Sequence, residues 1–287
     1  MQWQRAKTIL ILVFFLINVL LISYLVIERT PSDAQRISDL TEVLSRNRIQ
    51  LEMVAVPRIP DSVFVPEWNR VELELKQVEA LMDTPVADEK GYTNPDKTCR
   101  LTLKEDQIFY ENQAPKGKNF RNVTAKNVHS KLKGVLKTLG VEAWVYPVSI
   151  TEVGEDFVVT YGYQVEKRKL NGSWLTVTVS QNGIKKMEGF LGIPDRKNGF
   201  SYRLSQLETV LMSLVQTEES PLTITDIELG YYLIPYTDAL VSQAIPVYEI
   251  ETSEGILLLD ARDGVSYLER KLSSQEKGAS YEKVSAN

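Results

Sequence analysis

From residue 9 to residue 27 the chain reads ILILVFFLINVLLISYLVI, with no charge and one amide, Asn18; beyond it, apolar residues return with helical or alternating spacing. At about 1.5 Å per residue a helix through this run reaches roughly 30 Å, the hydrocarbon thickness of a bilayer, and is apolar on every face. The run predicts a transmembrane helix over 8–28. Arg5 and Lys7 precede it with no acid before them, whereas Glu28 and Arg29 cancel beyond it. That bias places residues 1–7 in the cytoplasm and the bulk of the chain outside, as a single-pass protein of the cell membrane. The run is too long for the apolar part of a secretory signal, and Glu28-Arg29-Thr30-Pro31 offers no small-x-small cleavage site, so the anchor is expected to stay.

Ile37, Leu40, Val43 or Leu44, and Leu51 have helical spacing behind a Ser32 or Asp33 cap, which predicts a helix to about Arg48. An extended stretch follows over 49–56, and Pro57, Pro60 and Pro66 then argue against regular structure before Trp68. Val71, Leu73 and Leu75 alternate with Glu72 and Glu74, yet Leu75, Val78 and Met82 suit a helix equally. Residues 84–98 read as a polar loop and 100–111 as two short strands around a turn.

A more regular pattern begins at Thr124. Val128, Leu132, Val135, Leu136 and Leu139 recur at helical spacing, and Gly140 is placed to end the helix. Strand-like runs VEAWVYPVSI, DFVVTYGYQV, SWLTVTVS and IKKMEGFL follow, the last three separated by Asn171-Gly172 and Asn182-Gly183, both hairpin signals. The order then recurs: an amphipathic helix over Arg203–Gln216, then LTITDIELGYYLI, IPVYEI, ILLLDA and VSYLER, with turns at Glu254-Gly255 and Asp263-Gly264. The two halves read as a degenerate duplication. The expected fold is α+β: one membrane helix, then two lobes, each a helix followed by a curled antiparallel sheet. The expected divisions are 1–7 tail, 8–28 span, 29–115 membrane-proximal region, 116–195 first lobe, 196–272 second lobe and 273–287 disordered tail.

Charge and cysteine content narrow the classes. The net charge of −5 argues against nucleic acid as a partner through bulk attraction. Cys99 is the only cysteine, so no intramolecular disulfide is available and the core must hold the fold unaided.

Catalytic chemistry finds little to use. His129 is the only histidine and reads as a surface residue of its helix; no Gly-x-Ser-x-Gly elbow accompanies it. Asp260-Ala-Arg-Asp263-Gly264 lacks the alternating oxygen ligands of a calcium loop and reads as a turn. Glu218-Glu219 and Glu152, Glu155 and Asp156 fall at predicted turns, where solvated charge is the default. No catalytic residue, metal ligand or cofactor site is assigned, and the chain is expected not to be an enzyme. Tyr161, Tyr163, Tyr231, Tyr232, Tyr236 and Tyr248 lie on or beside strands and are expected to pack the sheet rather than line a groove.

Asn18 offers a functional lead, because an amide in an apolar environment gains about 0.5 to 2 kcal/mol by bonding across to another helix. Phe14, Phe15, Leu21, Ile22 and Leu25 lie three, four or seven residues from it and complete the expected partner-contact face. The alternative is an amide that bonds its own backbone.

The opening MQWQRAKTILILVFFLINVLLISYL, with Trp3, Lys7 and Thr8, resembles the amino terminus of the YycI (WalI) family. The segment IPVYEIETSEGILLLDARDGVSYLE resembles the PepSY-like hairpin shared by YycI and YycH. The resemblance implies a regulator of a WalK-like sensor histidine kinase, acting with a YycH-like partner through helix contacts, with no catalytic residues to carry over. The other reading open at this point is an anchored binding module or envelope-assembly factor that holds a peptide or glycan.

Overall fold

The computed structural model describes residues 7, 11–21, 33–52, 59–89, 91–104, 106–115, 120–217, 221–234 and 241–271. A helix over 11–21 (α1) opens them. There follow α2 (Asp33–Arg46), β1 (Ile49–Leu51), β2 (Ser62–Arg70), α3 (Leu75–Leu81), β3 (Val86–Asp88), β4 (Gly91–Thr93), β5 (Cys99–Lys104) and β6 (Gln107–Asn112). Then come α4 (Val128–Thr138), β7 (Val145–Val153), β8 (Asp156–Val165), β9 (Arg168–Ser180), β10 (Gly183–Phe190) and β11 (Gly192–Arg203). The last elements are α5 (Leu207–Thr217), β12 (Leu222–Ile234), β13 (Val241–Thr252), β14 (Gly255–Asp260) and β15 (Ser266–Lys271).

The expected two-lobe α+β fold is corrected. The chain is mostly sheet, and its strands join in one fifteen-stranded network running β11-β2-β13-β12-β9-β10-β6-β5-β4-β3. β7 and β8 attach to β9, while β14 and β15 attach to β13. The halves are sewn together at a short parallel pairing, Leu170 and Asn171 of β9 against Tyr231 and Tyr232 of β12. β1 adds a second parallel join, Ile49–Leu51 against Leu222–Ile224. One apolar cluster accordingly runs from Leu40 through Leu132, Tyr163 and Val177 to Tyr248 and Ala261. Local periodicity predicts elements, but not which strand edges meet, and the cross-half pairings made the difference.

The expected membrane helix over 8–28, and with it the single-pass membrane placement, is also corrected. Among the described residues no helix is long and apolar enough to cross a membrane. Residues 8–10 and 22–28 lie outside the described residues, as does the tail expected over 273–287.

Two local expectations also change. β2 is a regular strand despite Pro66, because the proline sits where β11 bulges: Glu67 pairs Asp195 and Pro66 pairs Gly199, skipping three residues of β11. Asn171-Gly172 is not a hairpin turn but a bulge inside β9, with Gly172 at φ 80°, where the register against β8 slips. The β8–β9 turn falls instead on Glu166 and Lys167, with φ 50° and 67°. The undecided segment at Leu75 is helical, and Gly140, at φ 77°, closes α4 as its position suggested.

Candidate functional site

The parallel join between β9 and β12 brings together a cluster of polar side chains in the sheet. Glu249 sits in the middle of β13 between Tyr248 and Ile250, facing away from the main core, and is 5% exposed. Both of its oxygens are satisfied: Lys169 Nζ donates to Oε1 at 3.0 Å, and Asn171 Nδ2 donates to Oε2 at 3.0 Å. Lys169 also reaches Glu228 Oε2 at 2.8 Å. A buried carboxylate is costly unless paired and hydrogen-bonded, and here two side chains of β9, Lys169 and Asn171, meet that demand.

The electrostatics fix the protonation of the lysine. Burial pulls the Lys169 ammonium down, but hydrogen bonds and charge from Glu228 and Glu249 outweigh it, so its pKa lies above the ordinary lysine range. An ammonium held in that way is a fixed cation, not a base or nucleophile. Next to it, Arg168 Nη1 donates to the Tyr231 hydroxyl at 3.2 Å, and that hydroxyl donates to the Phe64 carbonyl at 3.2 Å. Burial raises the Tyr231 pKa, against an opposing pull from Arg168, which keeps the phenol a donor.

A cleft of about 390 Å³ opens beside this cluster, lined by Ile59 and Pro60, Lys167–Lys169, Asp226–Gly230 and Glu249. Its charges are balanced and already largely paired.

The partner-contact face anticipated on the first helix is only partly described. Phe14, Phe15 and Leu21 are exposed, and Asn18 is half-buried, with its Nδ2 donating to the Phe14 carbonyl at 2.8 Å. Asn18 therefore bonds its own backbone here. Ile22 and Leu25 lie outside the described residues.

Other singled-out residues take structural roles. Tyr161, Tyr163, Tyr231 and Tyr248 are buried, and Tyr232 is half-buried; Tyr236 lies outside the described residues. His129 is not a free surface group: it is half-buried, and its Nδ1 lies 3.2 Å from the Tyr161 hydroxyl. Burial pushes the Cys99 thiol up, away from the reactive thiolate. Asp260 is wholly buried and clasped by Arg262, and the string to Gly264 folds as a turn, with Gly264 N donating to the Asp260 carbonyl at 2.8 Å. Glu218 and Glu219 lie outside the described residues.

Sequence reasoning missed Glu249 and Lys169. The signal was present in IPVYEIET, where an acid interrupts an otherwise apolar strand, but its cation lies 80 residues away in the other half.

No family model and no curated protein match the chain. Among solved structures it is similar to an uncharacterized protein from Eubacterium rectale, with a TM-score of 0.46 and 11% identity over 78% of this chain and 91% of that one. It is also similar to the Bacillus megaterium YpeB C-terminal domain (TM-score 0.39, 11% identity, 67% of this chain and 92% of that one). YycH from Bacillus subtilis gives a TM-score of 0.40 and 12% identity over 69% of this chain and 52% of that one. These are weak likenesses of fold to YycH and the YpeB domain, and they do not single out the YycI family.

Proposed function

We propose that the protein is a non-catalytic regulator that acts by protein contact on a WalK-like sensor histidine kinase, together with a YycH-like partner. The observation supporting this reading is the folding of the carboxy-terminal segment whose sequence resembles the PepSY-like hairpin of YycI and YycH. It forms an antiparallel meander in which Val247–Glu251 of β13 pair with Asp260–Ile256 of β14, and β14 pairs with β15. The proposed contact element is the apolar helix face of Phe14, Phe15, Asn18 and Leu21, taken with Ile22 and Leu25 from the sequence. Asn18 is able to exchange its bond to Phe14 for one across the interface. A regulator of this kind needs only a differential affinity of a few kcal/mol for two kinase states.

The test is single-cysteine crosslinking from positions 14, 18 and 21 in a Cys99→Ala background, read beside a kinase-dependent reporter. Crosslinks to the kinase that follow the helix face, and altered output with Asn18→Leu, support the reading. Unchanged output and no kinase adduct at normal protein level reject it.

A further inference from the structure

We propose that Asn182 is a self-modifying residue: in the turn between β9 and β10 it converts spontaneously to aspartate and isoaspartate, while the same dipeptide elsewhere in the chain is held back by the fold. Asn-Gly occurs three times, at 171–172, 182–183 and 198–199. The reaction starts when the glycine amide nitrogen attacks Cγ of the asparagine side chain. A C–N bond forms, the Cγ–Nδ2 bond breaks, and ammonia leaves with the proton of the glycine amide. Water then opens the resulting succinimide ring at either carbonyl. One opening gives aspartate; the other gives isoaspartate, in which the main chain runs through the former side-chain carboxyl. Glycine favours the attack because no Cβ shields its nitrogen.

Two of the three sites lie inside strands and are fixed on both sides of the reacting groups. Asn171, within β9, donates from Nδ2 to Glu249 Oε2 at 3.0 Å, and a Cβ on Gly172 would lie 3.0 Å from the Tyr232 ring and 3.2 Å from the Leu233 carbonyl. Asn198, within β11, donates from Nδ2 to Asp195 Oδ2 at 2.8 Å, and its main-chain N–H donates to Oδ1 of the same carboxylate at 3.3 Å. Gly199 is packed against β2, where an added Cβ would run into the Val65 carbonyl. Turning either side chain so that Cγ meets the glycine nitrogen breaks a hydrogen bond to a carboxylate and displaces a strand wedged against its neighbour. Conversion at 171 would also set a second carboxylate against buried Glu249.

Asn182 has neither restraint. It stands at the tip of the β9–β10 hairpin, outside both strands, and its exposed side chain makes no hydrogen bond among the described residues. Its main-chain N–H donates to Ser180 Oγ at 3.2 Å. The turn is anchored by the neighbouring Gln181 instead, with Nε2 donating to the Val123 carbonyl at 2.9 Å and Oε1 accepting from the Val123 N–H at 3.1 Å. Gly183 enters β10 at φ 136°, a conformation other residues rarely adopt, so the turn itself retains the glycine that makes Asn182 labile. Aspartate adds a charge at the tip. Isoaspartate lengthens the main chain just before β10, the strand that pairs with both β9 and β6. The site does not depend on the kinase reading, since the reaction needs only water.

The experiment holds the folded full-length protein at about pH 8 and about 37 °C for about two weeks and maps its tryptic peptides against a starting sample digested in the same way. Residues 170–185 form one tryptic peptide and 198–203 another, and electron-transfer fragmentation separates position 171 from 182 and aspartate from isoaspartate. The expected result is conversion at Asn182 at least about tenfold faster than at Asn171 or Asn198, where reaction waits on local opening of a strand. In the urea-unfolded chain the three rates converge to within about threefold, which assigns the difference to the fold. Asn182→Ser abolishes the acidic species that ion exchange resolves in the aged parent. No conversion at Asn182, equal conversion at Asn171 or Asn198 in the folded protein, the same ranking in the unfolded chain, or an acidic species that survives Asn182→Ser overturns the proposal. None of these outcomes bears on the crosslinking test of the helix face.

Discussion

Lys169 Nζ lies 3.0 Å from Glu249 Oε1, and this contact ties β9 to β13 across the intervening β12. Lys169 is still 37% exposed at its side chain, whereas Glu249 is 6% exposed, so the carboxylate depends on the pair more than the ammonium does. Lys169→Met leaves that carboxylate with Asn171 as its one remaining partner. The expected loss is about 2 kcal/mol in urea denaturation, at the low end for breaking a buried pair because solvent still reaches the site. Lys169→Met combined with Glu249→Leu recovers most of it, since no uncompensated charge remains.

The turn at Glu166-Lys167 is unfavourable for both of its residues, because positive φ suits Asn and Gly. Replacing the pair by Asn-Gly is expected to raise stability by about 1 kcal/mol in thermal unfolding.

His129 gives a pH dependence whose sign follows from its surroundings. Burial lowers its pKa from the ordinary 6.5, Lys133 lowers it further, and Glu142 opposes them. Tyr161, whose hydroxyl burial keeps protonated, donates to the neutral ring, and protonation of His129 removes that acceptor. The unfolded chain binds the proton more readily than the folded one, so this contribution is full above about 6.5 and is lost as pH falls through that value toward the folded one. A melting-temperature series between about pH 8 and pH 5 is expected to fall more steeply for the parent than for His129→Gln.

Two glycines make a contrasting pair. Gly189 has φ 130°, and an added Cβ would run into the Trp174 carbonyl of the neighbouring strand, so Gly189→Ala is expected to cost more than about 2 kcal/mol. Gly134 lies exposed inside α4 with nothing near its missing Cβ, and Gly134→Ala should add about 1 kcal/mol. Urea midpoints of the two variants check both directions in one experiment.

What could be read from the chain depended on how far apart the deciding residues lie. Leu132, Leu136 and Leu139 announce α4 within a few turns of helix, and DFVVTYGYQV coincides with β8, because burial on one face is written in neighbouring residues. Asn171-Gly172 misled because positive φ serves a bulge as well as a turn, and only the β12 edge beside it shows which is needed. Pro66 misled because the bulge that accommodates it is made by β11, more than a hundred residues later. Glu249 was visible as an acid in an apolar strand, but its meaning required Lys169 and Asn171 from the other half. The spacing of Phe14, Asn18 and Leu21 left two roles open for the amide, and the bond from Asn18 Nδ2 to the Phe14 carbonyl is the second of them.

The parallel join of β1 to β12 also sets an order of assembly. Ile49–Leu51 leave the ribosome more than 170 residues before Leu222–Ile224, and β2 waits likewise for β11 and β13. During synthesis the early strands hold unpaired edges and uncovered apolar faces, the state most prone to aggregation and most in need of a chaperone. A chain stopped after β11 would therefore lack not only its last third but also β12, on which β1 pairs, and β13, which pairs with one end of β2.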